Sequence, residues 1–233
     1  GFEEDMERIL SQTPLARQTA LFSATFPPSI EEMSRRYQRS PLRVTIRDAE
    51  GSEAKIRQLA LETEPELKTK SLLWCLGEYP AETTIVFCNL KATVADVART
   101  LSRTGVRAGA IHGDLEQRER DEVMAKFRNR TLPVLVATDV AARGIDVANL
   151  DVVYNYDLPS TPEVYVHRIG RTGRAGREGL AISFFTEKQA NRLENIEDHI
   201  RKPIDRIRAP DFRELAFEGL AEDLAKTSAA QSV

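Results

Sequence analysis

Four things are scarce in this sequence, and each scarcity excludes something. Cysteine occurs twice, as Cys75 and Cys88, with neither metal-ligand spacing nor the count of a disulfide framework, so both are expected as reduced core thiols. No apolar stretch approaches the ~20 residues of a membrane span and the opening residues do not read as a signal sequence, so a soluble, cytosolic protein without membrane contact is expected. Net charge is small, with 33 basic residues against 36 acidic ones, which rules out a protein held to nucleic acid by bulk charge. Any such site must be local. Finally, no Gly-Lys pair occurs, which excludes a G-x-x-x-x-G-K-[ST] loop and the cradle it would form for nucleotide phosphates and Mg2+.

What is present is an alternating α/β pattern in a chain of 233 residues, 41% of them hydrophobic, enough for a sizeable core. Short β-rich runs at 83–88, 106–111, 133–138, 151–156 and 179–185 alternate with helical patterns, which predicts a mostly parallel sheet covered by helices. Val94, Val97, Ala98 and Leu101 form an i, i+3, i+4, i+7 stripe, and Gly105 stands where a helix end needs positive φ. Asp114 with Gln117 reads as a capping box opening a helix to about Arg128, and Thr161-Pro162 as N-cap and first helical residue.

Upstream, 2–12 and 29–38 read as helices and 18–23 and 42–46 as strands, too few to cover both faces of a parallel sheet. Residues 47–53 are polar, small and aperiodic, as a linker would be. The chain opens without an initiator methionine, directly in a helical pattern, so a piece of a longer protein is expected. After Pro210, residues 212–226 carry an amphipathic helical pattern, and 227–233 read as disordered.

Chemistry concentrates in a few segments. Arg168, Arg171, Arg174 and Arg177 recur every third residue among glycines, following His167. Guanidinium forks match phosphate and glycine lets backbone approach closely, so this run holds something anionic or is a solvated basic loop. The apolar run 135–137 leads into Thr138-Asp139 and a small-residue turn ending in Arg143-Gly144-Ile145-Asp146, placing polar groups at the carboxyl end of a strand, where open α/β sheets bind ligands. Ser23-Ala24-Thr25 after a short strand is by itself an ordinary strand end with hydroxyl capping.

Taken in order, Ser23–Thr25, the 85–89 strand, His112-Gly113-Asp114 with Gln117 and Arg120, the 138–146 block and the 167–174 block resemble the motifs of DEAD-box ATP-dependent RNA helicases, over nearly the whole of residues 1–202. The resemblance implies a RecA-like domain, the second of two, occupying 54–210, after a remnant of the first at 1–47 and a linker at 48–53, with a tail at 211–233. It implies that Arg171 and Arg174 reach ATP as arginine fingers, that His167 couples the cleft to Ser23 and Thr25, and that Arg168 serves contacts between domains or toward RNA. Asp146, with Gly144 beside it, matches a position linked to the nucleotide ribose. Asn89, Lys91, Gly113, Gln117, Arg120, Thr138 and Arg143 match positions that contact the RNA sugar-phosphate chain. His167 could equally be a core or capping histidine, and Lys91 and Arg120 solvated charges. ATP with Mg2+ and RNA are then the partners, Mg2+ and the phosphate cradle coming from the first domain; an ATPase-deficient RNA-binding or regulatory module is the alternative. Self-association through 1–47 or 212–226 is a further expectation.

Overall fold

A computed structural model of the chain describes residues 3–23, 26, 28–45, 55–142, 149–174 and 176–212. The chain forms two compact units, Gly1–Gly51 and Ser52–Val233. In the first, α1 (Glu3–Ser11) and α2 (Pro28–Tyr37) are joined by an Arg36–Glu7 ion pair, and the Gln38 side-chain amide donates to the Thr19 carbonyl at 3.0 Å. The strands expected at 18–23 and 42–46 are absent from the described residues there. Strand structure requires a ladder partner, and here the apolar side chains that would pack in a sheet, Phe22, Leu42 and Val44, lie in solvent.

The second unit is a seven-stranded, wholly parallel sheet ordered β3-β4-β2-β5-β6-β1-β7. Its strands are β1 (Ile56–Glu62), β2 (Thr84–Phe87), β3 (Ala108–Ile111), β4 (Val134–Ala137), β5 (Val152–Asn155), β6 (Gly179–Phe185) and β7 (Asp205–Ile207). Between them run α3 (Lys68–Glu78), α4 (Lys91–Arg103), α5 (Gln117–Arg128), α6 (Asp139–Ala142), α7 (Pro162–Ile169) and α8 (Ala190–Ile200). The parallel sheet expected from the alternation is present, and β1, α3, α8 and β7 extend it on both sides of the stretch where the alternation is legible.

Strand periodicity sorts the core onto two faces. Val86, Val136, Ile182 and Phe184 point to the face that packs Leu72 and Leu73 of α3 and Val97 and Leu101 of α4. Ile85, Phe87, Leu135 and Val153 point to the other, against Met124 and Phe127 of α5. Ala181 and Phe185 continue that second face beneath Tyr165 and Ile169 of α7 and Leu193 and Ile196 of α8. Burial on both faces is why these strands read as unbroken apolar runs. Cys75 and Cys88 are free, buried thiols whose pKa values burial pushes up.

Local signals held with one displacement. Gly105 has φ +84°, and Thr161 caps α7 by accepting from the Val164 amide, with Pro162 as first helical residue. The capping box of α5, however, is Glu116 with Glu119, not Asp114 with Gln117. Gln117 instead donates to Asp121 at 2.8 Å, and the Asp114 carboxylate is taken by Lys91, which leaves Glu116 as the first free acceptor before the helix. The 212–226 helical pattern lies outside the described residues save Phe212, which is buried with its ring 6.2 Å from that of Trp74.

Candidate functional site

The carboxyl ends of β3, β4 and β2, which are neighbours in the sheet, bring one group of sequence candidates onto a single contiguous edge. Asn89 and Lys91 follow β2, Gly113 follows β3 with Gln117 and Arg120 on the helix beyond it, and Thr138 follows β4. Loops from non-adjacent strands are tied together across this edge: Lys91 Nζ lies 2.9 Å from an Asp114 carboxylate oxygen, and that hydrogen bond holds the Asp114 pKa below its ordinary value. Arg120 donates to the Ala141 carbonyl at 2.6 Å, and Thr138 Oγ1 accepts from the Ala141 amide at 3.3 Å, so both brace the α6 turn. A Cβ added at Gly113 would meet nothing within 4 Å, so the backbone there is open to a ligand. The exposed apolar side chains Leu90 and Val140 stand on the same edge.

Behind this edge sits Arg168, 1% exposed and the largest fully buried side chain described. Its five N–H donors all have internal acceptors. Nε and Nη2 form a fork on the Asp139 carboxylate, both at 2.7 Å. Nη2 also reaches Asn89 Oδ1 at 2.8 Å, and Nη1 reaches the Asp157 carbonyl at 2.7 Å and Asn155 Oδ1 at 3.3 Å. The guanidinium stacks over Phe87, 5.1 Å from the ring centre. Arg168, expected to contact another domain or RNA, is therefore turned inward, because α7 presents it to the buried face of the sheet. Asn89 is exposed at this edge, and its side chain is tied to the loop: its Oδ1 accepts from Arg168 at 2.8 Å and its Nδ2 donates to the Leu158 carbonyl at 3.0 Å.

The second group of candidates lies at the opposite edge. α7 runs back along the sheet and ends in Gly170, after which the Leu150 amide donates to the Arg171 carbonyl at 3.0 Å and Thr172 bridges to Leu150, with its hydroxyl against the Leu150 and Asp151 carbonyls. Leu150 and Asp151 immediately precede β5, so Arg171 and Arg174 stand at the amino edge, about one strand length, roughly 13 Å for a four-residue strand, from the Asn89 edge. Burial depresses the Arg171 pKa, and the like charge of Arg174 depresses it further. Two neighbouring cations, one of them partly buried, are suited to an anionic ligand. His167 is exposed on the last turn of α7. Ser23 is exposed in the first unit, while Thr25, Arg143, Gly144 and Asp146 lie outside the described residues.

Gly179 is the fixed point beneath the arginine turn. A Cβ there would fall inside the Thr172 hydroxyl and the Gly173 amide, so only glycine lets the turn lie on the start of β6. Gly179→Ala is expected to lower stability by about 3 kcal/mol, at the upper end of overpacking costs. Thermal unfolding checks this, and a parental midpoint would refute the packing argument.

Sequence reasoning did not single out Lys68, Asn155, Asp157 or Ser183. Asn155 and Ser183 had a legible signal, a polar residue interrupting an apolar strand, and they meet at 2.9 Å across β5 and β6. Lys68 had none, since its partner is distant in sequence.

Residues 67–176 match the helicase conserved C-terminal domain family. The C-terminal domain of the DEAD-box protein Dbp5 is 32% identical and superposes with a TM-score of 0.63, 99% of it covered by 77% of this chain. The E. coli DEAD-box protein SrmB, solved bound to regulator of ribonuclease activity A, is 35% identical, with a TM-score of 0.64 over 70% of this chain and 96% of that one. The chain belongs to the DEAD-box family. A longer DEAD-box relative, the ATP-dependent RNA helicase CshA of Bacillus cereus, is 42% identical over 231 residues, which is 97% of this chain and 44% of CshA. This DEAD-box chain thus spans under half the length of that curated relative. Dbp5 solved bound to RNA and ADP BeF3 superposes with a TM-score of 0.78 at 31% identity, covering 97% of this chain and 59% of that one. In this DEAD-box chain no described helix is long and apolar enough to cross a membrane.

Proposed function

We propose that the whole protein is an ATP-dependent RNA helicase, acting in the cytoplasm, and that this chain supplies one half of its machinery. Residues 54–210 act as the second RecA-like domain, 1–47 as the end of the first, 48–53 as the linker and 211–233 as a tail. The observation that carries this reading is the separation of two differently equipped edges on one sheet: paired arginines at the amino edge, and an open loop edge of amides, hydroxyls and one glycine at the carboxyl edge.

ATP enters as substrate. Arg171 and Arg174 neutralise charge that builds on its terminal phosphate during transfer, with Asp146 and Gly144 toward the ribose and His167 relaying to Ser23 and Thr25 of the first domain. The sequence has no Gly-Lys pair, so the phosphate cradle and Mg2+ ligands come from sequence outside this chain. At the other edge, Lys91, Gly113, Gln117, Arg120, Thr138 and Arg143 take the sugar-phosphate chain of RNA, the Asn89 loop shaping the first of these contacts. Backbone contact positions RNA without reading sequence, which fits a chain of nearly balanced charge. This chain alone is expected to hydrolyse no ATP, and RNA-stimulated hydrolysis is expected when it is mixed with the separately expressed first domain or joined to it, the joined form being faster because the linker raises effective concentration. Hydrolysis by the pure chain would sink the division of labour. A joined protein that binds RNA and never hydrolyses ATP would favour the regulatory module.

A further inference from the structure

The buried ion pair at the junction of β2 and β5 is assigned no role by the reading above, and its connections point toward the RNA edge. Lys68, the first residue of α3, lies on the face of the sheet opposite α7, and its side chain is 10% exposed. Its ammonium group donates to Asp157 Oδ1 at 2.7 Å and sits 5.3 Å from the Tyr156 ring centre, so the charge is held from two sides. Asp157, two residues beyond β5, divides its acceptors. Oδ1 takes Lys68, Oδ2 takes the Asn89 backbone amide at 3.1 Å, and the Asp157 carbonyl takes Arg168. One carboxylate thus connects α3, the loop after β2 and, through its own backbone, α7.

An amide donating to one carboxylate oxygen is fixed only as well as that carboxylate is oriented. Nothing in the Asp157 backbone fixes its side-chain torsions, and Lys68 is the charged side chain that sets its rotamer by holding the second oxygen. The Asn89 loop is short, and Lys91 opens α4 two residues later. A change in the Asn89 amide direction is therefore carried to Lys91 and the first turn of α4. We infer that Lys68 is a positioning residue for RNA binding: through Asp157 it sets the backbone of residues 89–91 in the orientation that meets the sugar-phosphate chain. This deepens the proposed function and rests on it for the identity of the ligand.

Two measurements separate the latch from the function. The first is amide hydrogen exchange at Asn89 in this chain, which needs no activity. Lys68→Met keeps the aliphatic stem and removes the charge, and is expected to speed Asn89 exchange at least tenfold, while Lys68→Arg, which restores a cation, returns it to within about threefold of the parent. The second is RNA-stimulated ATP hydrolysis by the full-length protein. Lys68→Met is expected to raise the half-saturating RNA concentration about tenfold with kcat at saturating RNA kept within about twofold. Leu72→Ala serves as the comparison, because it weakens the same helix in the core without touching Asp157. It is expected to lower the melting temperature and leave half-saturation by RNA unchanged. Parental exchange at Asn89 in Lys68→Met overturns the latch, as does a Leu72→Ala shift in RNA half-saturation equal to that of Lys68→Met. If exchange responds as expected and the parent protein shows no RNA stimulation, the latch stands and the helicase reading falls.

Discussion

Arg171→Ala in the full-length protein is expected to reduce kcat for RNA-stimulated ATP hydrolysis by about 10³-fold or more, the range seen for arginine fingers and equivalent to at least ~4 kcal/mol of barrier. Arg171 stands at the amino edge of β5, and its carbonyl takes the Leu150 amide, so this backbone anchor of the turn survives truncation of the side chain. Half-saturation by RNA should change little, since the candidate RNA positions follow β2, β3 and β4 at the other edge. Arg171→Lys is expected to recover only a small part of the loss, because an ammonium group cannot offer the planar fork that spans two phosphate oxygens. Steady-state kinetics at saturating RNA tests this. A loss below about tenfold, or a parallel loss of RNA affinity, would remove Arg171 from the phosphate and return it to a structural or RNA-side role.

Arg168→Met should be the costliest substitution for the fold itself. It removes five donors at once and leaves the Asp139 carboxylate, the Asn89 and Asn155 side-chain oxygens and the Asp157 carbonyl without their partner. Breaking one side of a buried charge pair costs about 3–5 kcal/mol, chiefly the desolvation of the group left behind. For a unit of this size that corresponds to a fall in melting temperature of roughly 10 °C. Adding Asp139→Asn should recover part of the loss, since the stranded charge then disappears, and the double-mutant cycle should show coupling above ~1 kcal/mol. A single-variant loss under about 1 kcal/mol would mean that water satisfies these acceptors and that Arg168 does not organise the edge.

The two substitutions separate residues that are three positions apart in one motif. In the sequence, Arg168, Arg171 and Arg174 look equivalent, a repeated fork suited to one anion. The fold divides them because α7 ends between the first and the second. Arg168 is still helical and faces the sheet, where Asn155, Ser183 and Asp139 wait on the buried side. Arg171 and Arg174 come after Gly170 and belong to the turn laid on Leu150 and Gly179. The Asn89 side chain is drawn to Arg168 and the Leu158 carbonyl for a related reason: a short polar side chain at a strand end is equally able to bind a ligand or to close a loop, and sequence does not show the nearby donors and acceptors.

Some of this was legible because the cause is local. Unbroken apolar runs with helical stripes between them mean a parallel sheet buried on both faces, since period-two and period-3.6 patterns depend only on neighbours along the chain. Thr161-Pro162 and Gly105 followed from the same short range. The strands expected at 18–23 and 42–46 failed on the opposite ground: a strand exists only where another segment accepts its hydrogen bonds, and β propensity alone does not supply one.

The sequence by itself determined the α/β class, five of the seven strands (β2 to β6), the polar character of the strand ends and the family. Tertiary structure alone decided the strand order that puts β3, β4 and β2 side by side, the placement of the arginine turn on the opposite edge, and the Lys68–Asp157 pair, whose members are 89 residues apart. The physical reason is that backbone pattern is set by local sterics and hydrophobic period, whereas which charge meets which is settled only when distant segments share one buried face, and there every unsatisfied polar group carries a cost that sequence spacing does not reveal.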